Sequence, residues 1–334
     1  MQVCLTGATG FIGANVVRAL LERGDTVRCL IRKPNPSIEG LDVETVTAPI
    51  APQTPEETDA LTRAVDGCEA IIHVAGLFDP SPGGIDRMRT IHVDATQALC
   101  AAGIRASVRR LVLCSSSITV GFGSRDAPGD EDTPVDADAI YGRAGALRAY
   151  HDTKLASEKL VASQTEIEGV TVNPDFILGP WDVKPTSGQL IVTMAQRWVP
   201  FYPRGGKCFQ SAKACAAGHL AALDRGVHGR RYLLGSHNLS YREFMGVVAE
   251  VVGRRPPAIP LPSLALGAAG LAGRIGSRLD AHRFAGLDGH VLRSMQQERY
   301  RTDERARLEL GVSDQPIAEA VEAAYRWFVD RGYC

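Results

Sequence analysis

The sequence lacks an excess of charge of either sign. Its 37 Lys and Arg residues are balanced by 38 Asp and Glu residues, so the formal net charge of the 334-residue chain is -1. A nucleic-acid-binding surface and a polybasic membrane-binding segment both need a strong excess of basic residues. We therefore expect neither nucleic acid nor a membrane surface among the partners of this chain.

A cysteine framework is also missing. The spacing of the cysteines contains no CxxC pair and no zinc-ligand pattern, which predicts no metal site. Several cysteines lie in apolar strand patterns, where cysteine behaves as a small buried hydrophobic residue in a reducing compartment. The eight are Cys4, Cys29, Cys68, Cys100, Cys114, Cys208, Cys215 and Cys334.

No apolar run has the length of a membrane span. The most apolar stretch, 261–272, is short and interrupted by glycine, which favours an amphipathic or cleft-lining helix. A glycine turn begins six residues from Met1, and this leaves no room for a signal peptide before it. These features predict a cytoplasmic location.

What the chain does have is a glycine-spaced turn at its start. Residues 1–5 and 26–31 have strand patterns, and 11–21 has the pattern of an amphipathic helix, which together make a βαβ unit. Such glycines permit a sharp turn and a close backbone approach, and the helix N-terminus offers free N–H donors. The pattern predicts a dinucleotide pyrophosphate site, with a merely structural turn as the alternative. The turn reads Thr6-Gly7-Ala8-Thr9-Gly10-Phe11-Ile12-Gly13.

Strand and helix patterns alternate through the first half of the chain, which is typical of a doubly wound parallel α/β sheet, the Rossmann fold. We expect a cofactor-binding domain over 1–174, with returning segments near 207–235, and a smaller substrate-binding lobe over 175–206 and 236–334. Further strands are predicted at 43–47, 70–74, 110–114, 170–172 and 231–234, loops at 48–57 and 121–138, and later helices at 241–252, 263–279 and 317–330.

A tyrosine and a lysine lie four residues apart in a helical pattern. Tyr150 and Lys154 therefore share one helix face, although an exposed pair is the alternative. A nearby ammonium, helped by an oxidised nicotinamide, favours the phenolate and brings proton transfer towards neutral pH. Ser115, Ser116 and Ser117 follow a strand, at the edge where α/β sheets bind ligands, and one of them could hold a substrate oxygen; simple strand termination is the alternative.

Together these motifs resemble the extended short-chain dehydrogenases/reductases over most of the chain. The resemblance is closest to the dihydroflavonol-reductase-like, hopanoid-associated and NAD-dependent epimerase/dehydratase-like branch. It rests on the glycine turn, the serine pair, the Tyr150 and Lys154 spacing, and the segments Ile72-His73-Val74-Ala75-Gly76, Asn173-Pro174-Asp175-Phe176-Ile177-Leu178-Gly179-Pro180 and Arg231-Tyr232-Leu233-Leu234-Gly235.

The resemblance implies roles for individual residues. Ser116 and Tyr150 would hold the reacting oxygen, with Ser117 as the other register for the serine, and Lys154 would hold the nicotinamide ribose. It also implies that the chain pairs through helices into a homodimer, although no stripe of residues in the sequence demonstrates this pairing. The cofactor-binding residues implied are Thr6, Gly7, Thr9, Gly10, Phe11, Ile12, Gly13, Val74, Ala75, Gly76, Lys154, Pro174, Phe176 and Ile177.

The second predicted strand is followed by Arg32 and Lys33 and not by the carboxylate that usually takes an NAD ribose hydroxyl. A guanidinium can pair with a 2′-phosphate through two hydrogen bonds, and Lys33 adds a point charge. The pair favours NADP(H) over NAD(H), with two solvated loop cations as the alternative.

Three positions depart from the family pattern. Pro49 stands where relatives have an aspartate that contacts adenine. His92 stands where they have an asparagine that positions the active-site lysine, and a lone helical histidine is more often structural. Lys213 and Ala214 occupy a place where relatives often have an aspartate.

These features predict an NADPH-dependent ketoreductase of secondary metabolism that acts on a small-molecule ketone. The aromatic residues over 181–209 favour a cyclic or aromatic substrate, unless they form the core of the lobe. A nucleotide-sugar epimerase or dehydratase with tightly bound NAD is the first alternative. A non-catalytic NADP-binding regulatory module is the second.

Overall fold

The protein was analysed as a computed structural model, which describes residues 1–262, 295–313 and 315–334. In chain order its strands are β1 (Gln2–Thr6), β2 (Thr26–Ile31), β3 (Glu44–Thr47), β4 (Ala70–His73), β5 (Arg110–Cys114), β6 (Glu168–Pro174), β7 (Phe176–Leu178), β8 (Phe201–Tyr202), β9 (Gly206–Ser211), β10 (Arg231–Leu234), β11 (His237–Ser240), β12 (Ile259–Pro260) and β13 (Glu298–Arg299). Its helices are α1 (Phe11–Arg23), α2 (Pro55–Val65), α3 (Gly84–Arg89), α4 (Ala95–Arg105), α5 (Ala137–Tyr141), α6 (Ala146–Ala162), α7 (Gln189–Gln196), α8 (Ala212–Arg225), α9 (Tyr241–Val251) and α10 (Ile317–Asp330).

The main sheet has seven parallel strands in the order β10-β6-β5-β4-β1-β2-β3. Its central strands are buried on both faces, which explains why their sequences are almost continuously apolar. In β1, Val3 and Leu5 face one hydrophobic cluster and Cys4 faces another on the opposite side of the sheet. This confirms the predicted doubly wound α/β fold.

A smaller sheet has β9 at its centre, paired with β7, β11 and β13. Helices α7, α9 and α10 contribute to the hydrophobic cluster beside it, in which Phe209 and Phe244 stack with ring centroids 4.1 Å apart. Phe209 is fully buried, so it packs this cluster instead of lining a cleft. Trp181 packs under the Arg18 guanidinium, 3.6 Å from the ring centre. Phe209 and Trp181 therefore serve packing, which is the alternative given above for the aromatic residues over 181–209.

The predicted strands agree with the observed ones to within two residues at each end. Both predicted loops run into a helix, because α5 begins at Ala137 within 121–138 and α2 begins at Pro55 within 48–57. Thr54 caps this helix by accepting a hydrogen bond from the Glu57 backbone N–H, a signal that the prediction overlooked. The helix predicted over 263–279 lies outside the described residues. Within the described ranges, no helix is both long and apolar enough to cross a bilayer.

Candidate active site

The predicted site residues gather at one edge of the main sheet, where the parallel strands end. The turn after β1, the segment after β4 and the serines after β5 all lie at this edge, because the strands are parallel and in register. In the sheet, β2 lies on one side of β1 and β4 lies on the other, so the strand order reverses at β1. The point between β1 and β4 is therefore the switch point at which open α/β sheets bind ligands.

Each glycine of the first turn has a distinct steric reason. Gly7 has a φ of +74°, and a Cβ there would lie 2.5 Å from the Ala75 nitrogen. A Cβ on Gly13 would lie 2.0 Å from the Gly7 carbonyl oxygen. Gly10 is different, since its Cβ would lie 3.4 Å from the nearest protein atom, again the Gly7 oxygen. The fold itself requires Gly7 and Gly13, whereas at Gly10 the protein leaves room.

The turn fits a pyrophosphate. Gly10 is the N-cap of α1, and no side chain caps the helix there. The first-turn N–H groups of Phe11, Ile12 and Gly13 therefore face the edge of the sheet without a capping side chain, and the helix dipole favours an anion at this point. Thr9 is partly buried in the same turn.

Thr6 holds the segment after β4 in place. Its hydroxyl lies 2.6 Å from Nδ1 of His73 and accepts a 3.3 Å hydrogen bond from the Ala75 N–H. Val74 and Ala75 consequently pack against Gly7, and Gly76 is exposed beside the site. The predicted segment 74–76 thus borders the glycine turn, while the hydroxyl of Thr6 is engaged within the protein.

Tyr150, Lys154 and Ser116 converge at the ends of β4 and β5. Ser116 lies close enough to the Tyr150 phenol to oppose the rise in the pKa of Tyr150. Lys154 is buried, and its Nζ donates a 3.0 Å hydrogen bond to the Cys114 carbonyl oxygen. Of the two registers considered for the serine, the structure brings Ser116 to Tyr150, while Ser117 is buried in a short 3₁₀ turn.

The phenol of Tyr150 stays protonated at neutral pH, as an ordinary phenol does. Burial raises the pKa of Tyr150 to about 12, with the ionisable Cys114 thiol contributing in the same direction and Ser116 opposing it. Burial also lowers the pKa of Lys154. Lys154 is not among the groups that shift the pKa of Tyr150 in the protein alone, so its expected effect together with an oxidised nicotinamide stays a prediction. The protonated phenol is the state that a proton donor needs.

His92 connects the segment after β4 to the helix of Tyr150. Its Nε2 accepts a 3.1 Å hydrogen bond from the Leu77 N–H, so the proton of the neutral ring is on Nδ1, which lies 2.8 Å from Oγ1 of Thr153. Burial and the Lys154 charge lower the pKa of His92 to about 3. Both ring nitrogens are engaged and the ring stays neutral, which fits the structural alternative for this residue.

Sequence reasoning missed the buried carboxylate of Glu158. It accepts hydrogen bonds from the Ser115 hydroxyl, from Thr119 at 2.6 Å and from Nδ2 of Asn173 at 2.7 Å, and it lies 3.3 Å from Nη1 of Arg231. It joins α6 to β5, β6 and β10. Its spacing of four residues after Lys154 placed it on the same helix face and was an available signal.

Phe78 was missed as well. Its ring is 40% exposed and meets the Tyr150 ring edge-on, with the centroids 5.7 Å apart. A large aromatic side chain two residues after the segment 74–76 was the signal for it in the sequence.

The remaining predicted cofactor residues have different surroundings. Arg32 and Lys33 are exposed directly after β2. Pro174 is buried at the end of β6. Phe176 packs on Phe209 with centroids 5.2 Å apart, and Ile177 is 5% exposed in the main core. The side chains of these last two residues serve packing, which leaves their backbone for any contact with a cofactor.

Comparison with known proteins agrees with this geometry. The NAD dependent epimerase/dehydratase family matches residues 3–235. A putative dihydroflavonol 4-reductase of Synechocystis sp. is 30% identical over 98% of this chain and 95% of its own length. Sterol demethylase protein B of Methylococcus capsulatus is 29% identical over 99% of both chains. The crystal structure of gox2253 superposes with a TM-score of 0.82 at 28% identity, covering 99% of this chain and 98% of that one. This chain belongs to the NAD dependent epimerase/dehydratase family, within the extended short-chain dehydrogenases/reductases.

Proposed function

We propose that this protein is an NADPH-dependent ketoreductase. The observation that carries the proposal is that Tyr150 and Ser116 lie together at the sheet edge that also carries the glycine turn. A ketone oxygen placed between these two hydroxyls would receive two hydrogen bonds as negative charge develops on it. The name of the Synechocystis relative, a reductase, supports the same reaction class.

Each residue has a defined task in this reaction. When bound, NADPH supplies the hydride. The phenol of Tyr150 donates its proton to the forming alkoxide, and Ser116 orients the carbonyl oxygen. The Lys154 ammonium is held by the Cys114 carbonyl, one helical turn after Tyr150 on the same helix, and would stabilise the phenolate left after proton transfer.

Preference for NADPH rests on Arg32 and Lys33. Both are exposed directly after β2, the strand next to β1 in the sheet, so both side chains are available to a 2′-phosphate. No carboxylate of the kind that takes a ribose hydroxyl follows β2 at these two positions. The proposed cofactor is therefore NADP(H).

The proposed substrate is a cyclic or aromatic, mainly apolar ketone. The names of the two curated relatives, a dihydroflavonol reductase and a sterol demethylase protein, both refer to ring compounds. We assign substrate binding to 175–206 and 236–334, and cofactor binding to 1–174 with the returning segments near 207–235.

Substitution of Tyr150 tests the proposal. Tyr150→Phe should retain NADPH binding, measured by the fluorescence of the bound reduced nicotinamide, and should lower kcat for ketone reduction by a factor of about 10² to 10⁴. Tyr325→Phe, on α10, is the matched control and should be unchanged. Near wild-type reduction by Tyr150→Phe would show that another group donates the proton.

A nucleotide-sugar epimerase is the second candidate function. The observation in its favour is a pair of cations near the smaller sheet, Lys207 on β9 and Arg299 on β13, which a substrate diphosphate would need. Stoichiometric NAD in the purified protein, together with no NADPH-dependent ketone reduction, would favour this candidate. Steady NADPH oxidation with any ketone excludes a non-catalytic regulatory module.

A further inference from the structure

The backbone on both sides of Phe78 is fixed. On one side, the Leu77 N–H donates its 3.1 Å hydrogen bond to Nε2 of His92. On the other side, the Asp79 carboxylate accepts a 2.7 Å hydrogen bond from Nε of Arg87, on α3, the short helix that leads to His92. The segment that carries Phe78 is thus anchored on both sides, and the ring packs edge-on against Tyr150 although Phe78 is 40% exposed. Rigid, half-exposed aromatic rings are well suited to ligand contact because little conformational entropy is lost on binding.

The ring of Phe78 lies next to the proposed proton donor. Its plane is nearly perpendicular to that of Tyr150, at 88°. The two rings therefore form one continuous aromatic surface beside the Tyr150 hydroxyl. His92 forms a second edge contact with Tyr150, with centroids 5.4 Å apart. A carbonyl group that reaches the Tyr150 hydroxyl would therefore carry its substituent past Phe78.

His92 connects the segment that carries Phe78 to the helix that carries Tyr150. Its ring is 1% exposed and sits in a π-helical turn, Thr90–Asp94, a local distortion that often occurs at functional sites. It bonds Leu77 through Nε2 and Thr153 through Nδ1, and the Thr153 hydroxyl donates in turn to the Ala149 carbonyl, 2.7 Å away. The segment of Phe78 and the helix turn of Tyr150 are thereby tied to the same imidazole.

We propose that Phe78 is the residue that selects substrates with a flat apolar ring next to the carbonyl, and that His92 is the positioning residue that holds Phe78 in register with Tyr150. The inference rests on the proposed function and deepens it, since it assigns the ring preference to one side chain. An apolar ring packed on Phe78 removes apolar surface of both groups from water.

Two ketones of different shape test the role of Phe78. With NADPH, 1-tetralone presents a flat fused ring and 2-butanone presents none. Phe78→Ala should raise KM for 1-tetralone about tenfold or more, with kcat within about twofold, and should leave kcat/KM for 2-butanone within about twofold. Val227→Ala removes a comparably exposed apolar side chain, 46% exposed, which precedes β10 and so lies at the opposite edge of the sheet; it is the control that should change neither ketone.

The outcomes separate this inference from the proposed function. If the wild-type protein reduces 2-butanone but not 1-tetralone, or if Phe78→Ala affects both ketones equally or neither, the proposed function stands and the role of Phe78 is wrong. If the wild-type protein reduces no ketone in a wider panel, the proposed function fails and this inference fails with it.

A double-mutant cycle tests the positioning role of His92. His92→Phe keeps an aromatic ring but removes both hydrogen bonds, and it should lower the ratio of kcat/KM for 1-tetralone to that for 2-butanone. If His92 acts through Phe78, adding His92→Phe to Phe78→Ala should lower this ratio no further. A merely structural His92 would lower kcat/KM for both ketones in the same proportion, and an unchanged ratio in His92→Phe would overturn its assignment.

Discussion

The Lys154 ammonium donates its hydrogen bond to the carbonyl of Cys114, the last residue of β5, at 3.0 Å. One helical turn later, Glu158 accepts the hydrogen bond of the Ser115 hydroxyl, the next residue after that strand. Two successive residues of β5 and its exit are thus tied to two successive turns of α6. This arrangement fixes Ser116 relative to Tyr150 without any contact from a ligand.

Substitution of Glu158 should affect both stability and catalysis. In Glu158→Gln the amide brings donors towards the donors Thr119 and Asn173, so some buried polar groups lose their partner at a cost of about 1 to 3 kcal/mol of unfolding free energy. Urea unfolding followed by circular dichroism measures this. Glu322→Gln, an exposed partner of Arg326, is the control and should lose less than about 0.5 kcal/mol.

The same variant should shift the pH dependence of turnover. The negative charge of Glu158 raises the pKa of Lys154 against the lowering by burial. Removing that charge should lower the pKa of Lys154, so the ammonium loses its proton at lower pH. The alkaline limb of the kcat profile should then move to lower pH as well. An alkaline limb that stays in place would show that Lys154 does not govern it.

The glycines of the first turn should separate folding from cofactor binding. Gly10→Ala should fold with nearly wild-type stability, because its Cβ lies 3.4 Å from the nearest protein atom, but should bind NADPH at least about tenfold more weakly because the methyl group faces the pyrophosphate. Gly13→Ala should lose folding free energy, since its Cβ would lie 2.0 Å from the Gly7 oxygen. NADPH titration and urea unfolding distinguish the two effects.

A helix-interior glycine elsewhere provides the control for this pair. Gly246 lies in α9 with nothing within 4 Å of an added Cβ, so Gly246→Ala should stabilise the protein by up to about 1 kcal/mol and leave NADPH affinity unchanged. Weak NADPH binding in Gly246→Ala, or wild-type binding in Gly10→Ala, would contradict the assignment of the pyrophosphate site.

The main sheet could be predicted from sequence because its signals are local. A buried parallel strand such as β5 is a continuous apolar run, and within the first turn Gly7 is needed for its φ of +74° and Gly13 for its close approach to the Gly7 oxygen. The site was only partly predictable because its other determinants are not local. The partners of Glu158 come from positions as far apart as Ser115 and Arg231, and the exposure of Phe78 depends on packing.

The pKa of Tyr150 could not be predicted for the same reason. Spacing alone places Lys154 on the correct helix face, but the pKa of the phenol depends on how much water the surrounding side chains exclude. Similarly, the aromatic content after residue 175 does not distinguish a cleft from a core, and only the stacking of Phe209 on Phe244 does.

Charge at the end of β2 should set the cofactor preference. Arg32→Ala should raise KM for NADPH about tenfold or more, because a paired guanidinium and phosphate is lost, and should leave KM for NADH unchanged. Arg255→Ala removes another exposed arginine, in the segment after α9, and should alter neither value. An equal rise for both coenzymes in Arg32→Ala would show that Arg32 does not recognise the 2′-phosphate.

Three buried histidines should make the fold sensitive to acid. Burial lowers the pKa of His73 and His92 to about 3 and that of His219 to about 4, with the Lys154 charge contributing at the first two. These values lie below the ordinary value of about 6.5, so as the pH falls below that value the unfolded chain takes up protons that the folded chain does not. Stability should therefore be lost as the pH falls from about 6.5 towards 4, by up to about 1.4 kcal/mol per pH unit for each histidine.

His219 allows this to be tested away from the site. Its ring is fully buried in α8, where Nδ1 lies 2.8 Å from the Cys215 carbonyl oxygen. His219→Leu removes the group that must be protonated on unfolding, so the slope of unfolding free energy against pH between pH 6 and pH 5 should be shallower than in the wild type by about one proton. The slope is obtained from urea unfolding at each pH. An equal slope in the two proteins would mean that His219 carries its proton in the folded state, despite its burial.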